Sequence, residues 1–444
     1  MASLKIPIQD VFANGISITK YVKFEATLAC KDTGATIAVK KALTLEYTRD
    51  YSKSYGDEII MEAYFQLGDY LEFIQKSKGD LTMYVKEDRN SFINTEVYRA
   101  IVLNDDVNPK NAAFNKGVFS EMNKEIAFIR FQLVERSCLA MMQMFRSGVV
   151  AGQDLHTYLT CMMGEQYLGI NFPNDRYTKS LSFVPFHNKR SFRYLKIPAN
   201  IKTLDLPSFF QWTDHGIYNG DTNTYIQPFE VLDPKGKMIS RHRPLCLYPT
   251  ISAYRDERVG ARLKLYLTPN RISKDIERTY RIGDNNNIHI VVSSDDNITE
   301  VIDAWKISKG DIDIYRSTEA EVQRKHGISG ENITVQPPLY VRDDHVSVKE
   351  SIRVPMDYKH NAFNFSHDRM IQAGFVITIK WKFSVPNILF PGQLVEFFYE
   401  ELVDGSTQVK QVYGVLQKTY TQISNDNRMS NTIMFIFLTK VENY

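Results

Sequence analysis

The residues of this chain that could do chemistry lie in short segments, and each segment lacks part of the set that its chemistry requires. Asp214 and His215 form a carboxylate–imidazole pair of the kind used in general acid–base catalysis, with Trp212 beside them. No serine or cysteine nucleophile stands at a suitable spacing near this pair. We therefore predict a hydrogen-bonded structural pair, and we keep a hydrolase that uses Asp214 and His215 as an alternative.

A lysine- and glycine-containing segment resembles a phosphate-binding loop. That loop needs a glycine five positions before Gly236 and a serine or threonine after Lys237, but the chain has Val231 and Met238 at those places. Asp233 instead opens a stretch typical of a hairpin turn. We predict a turn and no bound phosphate.

Acidic and asparagine-rich runs at 220–223 and 295–297 resemble fragments of calcium loops. Neither run has the alternating ligand set closed by a glutamate, so solvated turns are predicted at both. The carboxylates of Glu400 and Glu401 are adjacent and are predicted to lie in a solvated turn rather than to cleave a glycosidic bond.

The histidine, methionine and cysteine residues are also predicted to have structural rather than catalytic or metal-binding roles. His242, flanked by Arg241 and Arg243, predicts a solvated positive face. Met162 and Met163 have the spacing of a helix core. The four cysteines are far apart, with no metal-binding spacing, and are predicted to be reduced and buried. They are Cys30, Cys138, Cys161 and Cys246. We predict no catalytic residues, no bound cofactor and no bound metal, and we predict that the chain is not an enzyme.

The composition describes a globular protein with no marked affinity for polyanions. The 444 residues predict two to four domains, and 43% hydrophobic with 24% charged residues excludes a disordered chain. With 54 basic and 52 acidic residues the net charge is +2, and no basic stripe is predicted. The N-terminus has no apolar leader, and no stretch is long enough to span a bilayer, so folding in a cytoplasm is expected.

The elements that must position these residues are mostly strands, and residues 373–444 are the clearest case. Alternating apolar positions from 375 to 383 predict a half-buried strand, and Pro391 with Gly392 turns the chain into a second. A third strand is predicted at 409–421 and a fourth at 432–438, which is apolar on both faces. A strand of that kind must be covered on both faces, so this module packs within something larger.

The first third of the chain is also predicted to form strands. Alternation from Val22 to Cys30 and again from Ile37 to Tyr47 predicts a long hairpin. Helical spacing at 67–74 predicts a short helix that plugs one end of an antiparallel barrel or sandwich. A helix at about 153–163 and a short helix before the turn at 233–236 then predict a small α/β region.

With these residues laid out, the chain resembles the baseplate hub protein of T-even-type contractile-tailed phages. The overlap is strongest in the closing module, from the Pro391–Gly392 turn through the strand VYGVLQKTYTQIS to the last strand and Thr439, Lys440, Val441 and Glu442. Weaker overlaps cover 51–87 and 125–159. The hub part of type VI secretion spike proteins is similar.

The resemblance implies a mainly β, α+β fold with two tail-tube-like antiparallel barrels. The implied domains are a first barrel at 1–146, a small α/β domain at 147–240, a second barrel at 241–268 and 355–444, and an inserted domain at 269–354. It also implies a homotrimer whose pseudo-sixfold ring joins the tail tube to the central spike of a virion.

The partners implied are the spike, a tail tube or tube-initiator protein and other baseplate wedge proteins, with DNA passing through the lumen without specific binding. The family's polar tail has no counterpart here, because the sequence stops at Tyr444, so spike contact is expected to use the end of the ring and its loops. Abundant tyrosine keeps a receptor- or glycan-binding tail protein as the other alternative.

Overall fold

The protein has a mainly β, α+β fold, seen here in a computed structural model. The structure describes residues 16–17, 22–51, 55–89, 92–105, 126–170, 177–186, 188–213, 216–218, 222–233, 235, 237–249, 262–268, 279–283, 287–293, 298–303, 306–307, 332–335, 340–341, 352–355, 375–403, 405–426 and 428–439.

The strands of the first half are β1 (Ile16–Ser17), β2 (Val22–Cys30), β3 (Thr36–Ala38), β4 (Lys41–Asp50), β5 (Tyr55–Gly56), β6 (Glu58–Gln66), β7 (Leu81–Arg89), β8 (Phe92–Asp105), β9 (Ile126–Glu135), β10 (Phe145–Asp154), β11 (Thr178–Phe183), β12 (Ser191–Lys202), β13 (Thr222–Ile226), β14 (Phe229–Leu232) and β15 (Met238–Pro249). Those of the second half are β16 (Leu263–Thr268), β17 (Thr279–Ile282), β18 (Ile288–Ser293), β19 (Ile298–Asp303), β20 (Lys306–Ile307), β21 (Asn332–Val335), β22 (Tyr340–Val341), β23 (Ile352–Pro355), β24 (Phe375–Lys382), β25 (Leu394–Val403), β26 (Ser406–Ser424) and β27 (Met429–Thr439). The α-helices are α1 (Leu67–Lys76), α2 (Arg136–Gln143), α3 (Leu155–Leu159), α4 (Glu165–Gly169) and α5 (Leu206–Thr213), with a π-helical turn at Thr160–Gly164 and 3₁₀ turns at Thr203–Asp205 and Pro386–Ile388.

The first barrel is antiparallel, with strand order β4, β6, β9, β8, β7, β2. Alternate apolar side chains of these strands fill one core, as the alternation predicts. Helix α1 buries Tyr70 and Phe73 in that core, which confirms the predicted plugging helix.

The predicted long hairpin at 22–47 is wrong in its second part. Strand β2 pairs with the short β3 on one edge and with β7 on the other, whereas β4 pairs with β6 and β26. A bulge between Ala42 and Thr44 shifts the alternation, so Ala42 and Leu45 point inward and Leu43 does not. The alternation of apolar residues in the sequence gives no sign of this bulge.

The side chain of Asn425 bridges the seam between β2 and β4. Asn425, in the turn between β26 and β27, accepts from the Phe24 amide at 2.9 Å and donates to the carbonyls of Phe24 and Ala42 at 2.7 Å each. Its own amide donates to the Leu43 carbonyl at 3.1 Å. The closing module therefore completes the first barrel.

Replacing Asn425 by alanine is expected to lower the free energy of unfolding by about 2–3 kcal/mol, because half-buried backbone groups of both strands lose their partners. Urea denaturation measures the loss. The neighbouring Asp426, whose ion pair with Lys41 is more than half exposed on both sides, is the control and should cost under about 1 kcal/mol. Equal effects of the two substitutions would contradict this role.

The second barrel surrounds another apolar core and includes β16, β18, β24, β25, β26 and β27. Strand β16 runs parallel to both β18 and β25, so this unit is mixed and the purely antiparallel prediction is wrong here. The Pro391–Gly392 turn is confirmed, with Gly392 at φ +68°. The turn predicted to hold Glu400 and Glu401 is instead part of β25, where they pair with Val409 and Gln408.

The two barrels share strand β26. Its residues 406–415 pair with β25, and after a bulge between Leu416 and Lys418 its residues 418–424 pair with β4. Strand β27 pairs along the other edge. One continuous sheet therefore runs from the second barrel into the first.

A five-stranded sheet lies beside the barrels. Strand β15 is central, with β11 parallel to it and β13 and β14 antiparallel, and β5 adds to β13. Helices α3 to α5 and the two-stranded sheet of β10 and β12 share a third core with it. The helix predicted at 153–163 begins at Leu155 and continues through the π turn to Gly169.

The domain limits at 146, 240, 268 and 354 stay a prediction. Strand β15 runs through the limit at 240, and β17, β18 and β19, within the predicted insertion, pair into the large sheet.

Candidate functional site at the joint between the barrels and the small sheet

The structure leaves the predicted chemical residues dispersed. Asp214, His215 and residues 295–297 lie outside the described residues, as does the side chain of Trp212. The turn after β14 is confirmed: the amides of Lys235 and Lys237 donate to Asp233 Oδ1 at 2.9 and 2.7 Å. No group of three or more possible metal ligands occurs among the described residues.

One predicted solvated turn is wrong where it is described. Asn223 of the 220–223 run is only 6% exposed, lies in β13, and donates to the Tyr51 carbonyl at 2.8 Å. The predicted solvated face around His242 is also wrong. Arg243 is 4% exposed, because β15 is the central strand of its sheet and faces the first barrel.

The predicted helix core at the methionines is confirmed, and three of the four cysteines are buried as predicted, Cys161 being the exception. Met163 is fully buried, and Met162 packs against the same core. Cys30, Cys138 and Cys246 are buried free thiols, while Cys161 is half-buried. Burial raises the pKa of Cys138 and Cys246, so both stay protonated and unreactive at neutral pH. None of the described helices is long and apolar enough to cross a membrane.

The first joint is built around Arg49, an inward-facing residue of β4 that is 1% exposed. Its Nε donates to Asp57 Oδ2 at 3.0 Å, and its two terminal nitrogens donate to the Pro386 carbonyl and Asn387 Oδ1 at 2.8 Å each. Tyr225 of the small sheet donates to the other Asp57 oxygen at 3.3 Å. The Arg49–Asp57 pair thus links all three structural units.

A second layer of hydrogen bonds surrounds Tyr51, just after β4. Its hydroxyl donates to Gln227 Oε1 at 3.0 Å, and Gln227 Nε2 donates to the Leu389 carbonyl at 2.7 Å. The backbone carbonyl of Tyr51 accepts from the Tyr248 hydroxyl at 2.8 Å, and the Tyr51 amide donates to the Gln417 carbonyl at 2.9 Å. Gln417 stands at the bulge where β26 changes partner, so this layer fixes the point where the barrels join.

The second joint centres on Arg243 of β15. Its terminal nitrogens reach Glu96 Oε2 at 2.9 Å and Glu135 Oε1 at 3.1 Å, and its guanidinium lies 4.5 Å from the ring centroid of Tyr177. Glu135 also caps helix α2 by accepting from the Cys138 amide. The joint therefore fastens the small sheet to β8 and to the end of β9.

Arg241 extends this network. It donates to Asn94 Oδ1 and lies 3.7 Å from Glu230 Oε1, with the arginine and glutamate side chains about nine-tenths buried. Asn94 donates in turn to Glu96. Two arginines and three glutamates share the joint, and buried charge of this kind is tolerated only when paired.

The electrostatics keep these donors in one state across the neutral range. Burial raises the pKa of Tyr51, Tyr225 and Tyr248, so their hydroxyls remain donors. For Arg49, burial alone would lower the pKa, but the Asp57 carboxylate outweighs it and raises the pKa above its usual value. The networks are suited to holding three units in one arrangement rather than to proton transfer.

Sequence reasoning missed these residues, although one signal was present. Arg49 occupies an inward position of the alternation that includes Leu45 and Tyr47, and Glu96 does so between Asn94 and Tyr98. A charge at an inward strand position predicts a buried partner. The identity of that partner was not readable, because Arg243 lies 147 residues from Glu96.

Two exposed regions lie away from the joints. Ile101 and Leu103, on the outer face of β8, are 42% and 47% exposed. The sheet of β10 and β12 exposes Phe145, Val149 and Tyr194. It also carries Arg146 on β10 and Arg193, Lys196 and Lys202 on β12, a local excess of basic residues that the net charge of the chain does not show.

Three solved structures are similar to this chain over most of its length. A tail protein from Neisseria meningitidis has 9% identity and a TM-score of 0.39, covering 93% of this chain and 96% of that one. The 43 kDa tail protein of prophage MuSo2 from Shewanella oneidensis has 10% identity and a TM-score of 0.41, covering 93% and 97%. A type VI secretion component from E. coli, described as similar to T4 tail proteins, has 8% identity and a TM-score of 0.39, covering 90% and 74%. No protein-family model and no curated protein matches the sequence.

Proposed function

We propose that this chain is a non-enzymatic structural protein of a contractile tail, a baseplate hub whose three copies form a pseudo-sixfold ring. One face of the ring holds a tail tube or tube-initiator protein and the other holds the central spike, with wedge proteins around the outside. DNA passes through the lumen without specific binding. The assembled protein is part of the virion.

The observation that carries this proposal is the joint between the barrels. Residues 418–424 of β26 pair with 44–50 of β4, so one chain presents two β barrels at a fixed angle on a continuous sheet. Three such chains supply six barrels, which is how a threefold assembly can meet a sixfold partner. The residues quoted for the family resemblance include this same stretch of β26.

A ring of three copies needs apolar contacts between the copies, and β8 offers a surface for one. Ile101 and Leu103 lie three strands along the sheet from the joint, on the outer face of the first barrel. Large exposed apolar side chains that lie together are typical of protein interfaces. We place a subunit contact there.

Replacing both Ile101 and Leu103 by aspartate is expected to weaken the trimer by about 3 kcal/mol or more, because unpaired carboxylates would be buried between copies. Sedimentation at several concentrations measures the shift toward monomer. Leu168→Asp, at a residue that is 50% exposed on α4, is the matched control and should leave the assembly unchanged. An unaffected trimer in the double variant would exclude β8 from the contact.

Light scattering tests the proposal itself. A trimer should have three times the 51.3 kDa mass of the chain, alone or with its spike partner. A strict monomer in both conditions would overturn the proposal.

A further inference from the structure

The two-stranded sheet of β10 and β12 differs in charge from the rest of the protein. Together with residues 189–190, which lead into β12, it forms a segment that we call the basic ribbon. It contains six basic residues and Asp154, whereas the whole chain has a net charge of only +2. The six are Arg146, Lys189, Arg190, Arg193, Lys196 and Lys202.

The acidic residue of the basic ribbon does not pair with its basic residues but caps a helix. Asp154 caps helix α3 by accepting from the amide and the hydroxyl of Thr157 at 2.8 Å each. Those hydrogen bonds lower the pKa of Asp154, so it stays ionised as a cap. Lys189, Arg190, Arg193 and Lys196 are all exposed. The surplus of positive charge therefore faces solvent.

The outer face of the basic ribbon is apolar as well as basic. Val149 is 63% exposed and pairs with Lys196, and Tyr194 is 60% exposed and pairs with Ala151. Phe145, 57% exposed, pairs with Lys202. The other face, with Leu195 and Ile197, is buried in the third core, so the strands are firmly held.

The β10 edge of the basic ribbon offers accessible backbone. In the described part of the chain, β10 and β12 pair only with each other. Gly148 and Gly152 lie in β10, and nothing described stands within 4 Å of where their side chains would be. An open strand edge with accessible backbone is a template on which another strand can add.

We propose that the basic ribbon binds an extended protein segment that carries apolar and acidic side chains on one face and adds as a strand at its edge. The positive surplus requires negative charge in the partner. The exposed valine, phenylalanine and tyrosine side chains favour a protein over a nucleic acid, because burying them requires apolar partner surface. This inference does not depend on the trimer, so either can fail alone.

Fluorescence anisotropy with labelled peptides tests the proposal. The probe is a peptide of about ten residues, the length of an ordinary strand, with valine, glutamate and tyrosine on one face and threonine on the other. Its twin has lysine in place of each glutamate. The intact protein should bind the acidic peptide, more weakly as salt rises, and should not bind the lysine twin.

Variants locate the binding. Val149→Ser and Lys196→Glu should each weaken binding of the acidic peptide by about tenfold, and neither exposed residue is needed for folding. Ile239→Ser, at a residue 66% exposed on β15, is the matched control and should bind like the unaltered protein. Failure to bind the acidic peptide, or equal binding by all three variants, would overturn the proposal. Tighter binding of a DNA duplex of about 20 base pairs, lost in Lys196→Glu and kept in Val149→Ser, would also overturn it and assign the ribbon to nucleic acid.

Discussion

Replacing Arg243 by methionine is expected to lower the free energy of unfolding by about 3–5 kcal/mol. The guanidinium lies between the carboxylates of Glu96 and Glu135, at 2.9 and 3.1 Å, and all three side chains are about nine-tenths buried. Methionine has a similar length but no charge, so two buried carboxylates would lose their counter-ion. Thermal and urea denaturation of the purified variant measure the loss.

A compensating variant separates charge from packing. Adding Glu96→Gln and Glu135→Gln to Arg243→Met removes the uncompensated charges, and the amide oxygen introduced at position 135 could still accept from the Cys138 amide that begins α2. This triple variant should recover much of the stability lost by the single one. If it is no more stable than Arg243→Met, the charge account of this joint is wrong.

Replacing Arg49 by methionine is expected to cost about 3–5 kcal/mol as well, through a different set of partners. Asp57 would be left buried with only the Tyr225 hydroxyl, and the Pro386 carbonyl and Asn387 side chain would lose their donor. Because Arg49 joins the two barrels and holds Asp57, which binds Tyr225 of the small sheet, we also expect faster proteolysis in this variant.

The exposed ion pair of Arg99 and Asp80 is the matched control for both substitutions. It has a short distance of 2.6 Å, but its side chains are 36% and 64% exposed. Arg99→Met should change the free energy of unfolding by less than about 1 kcal/mol. A loss as large as that of Arg49→Met would show that burial does not distinguish these arginines.

Much of the first barrel could be predicted from alternation alone. The pattern at 22–30 predicts β2, whose inward side chains help to fill the core, and the spacing at 67–74 predicts α1. Alternation is readable because the side-chain period of a strand is fixed by its geometry. It fails where a bulge changes the parity, as between Ala42 and Thr44.

Pairing between distant segments could not be predicted in the same way. The parallel neighbours of β16 and the joint of β26 with β4 depend on backbone hydrogen bonds, which carry no side-chain signature. The sequence did not indicate the joint residues for a related reason. Arg243 has the sequence context of an ordinary surface cation, and only the fold places it beside Glu96.

The basic ribbon shows the same limit for surfaces. Five of its six basic residues lie in 189–202, and the sixth, Arg146, lies in β10. The pairing of β10 with β12 is what places exposed Val149 beside Lys196. Overall net charge therefore did not predict a local binding surface.

Negative-stain imaging of the purified protein, with light scattering on the same sample, tests the central claim most directly. The account predicts particles with threefold symmetry and six lobes around a central channel, at three times the mass of the chain. Uniform single particles with two lobes, even beside the spike partner, would contradict it.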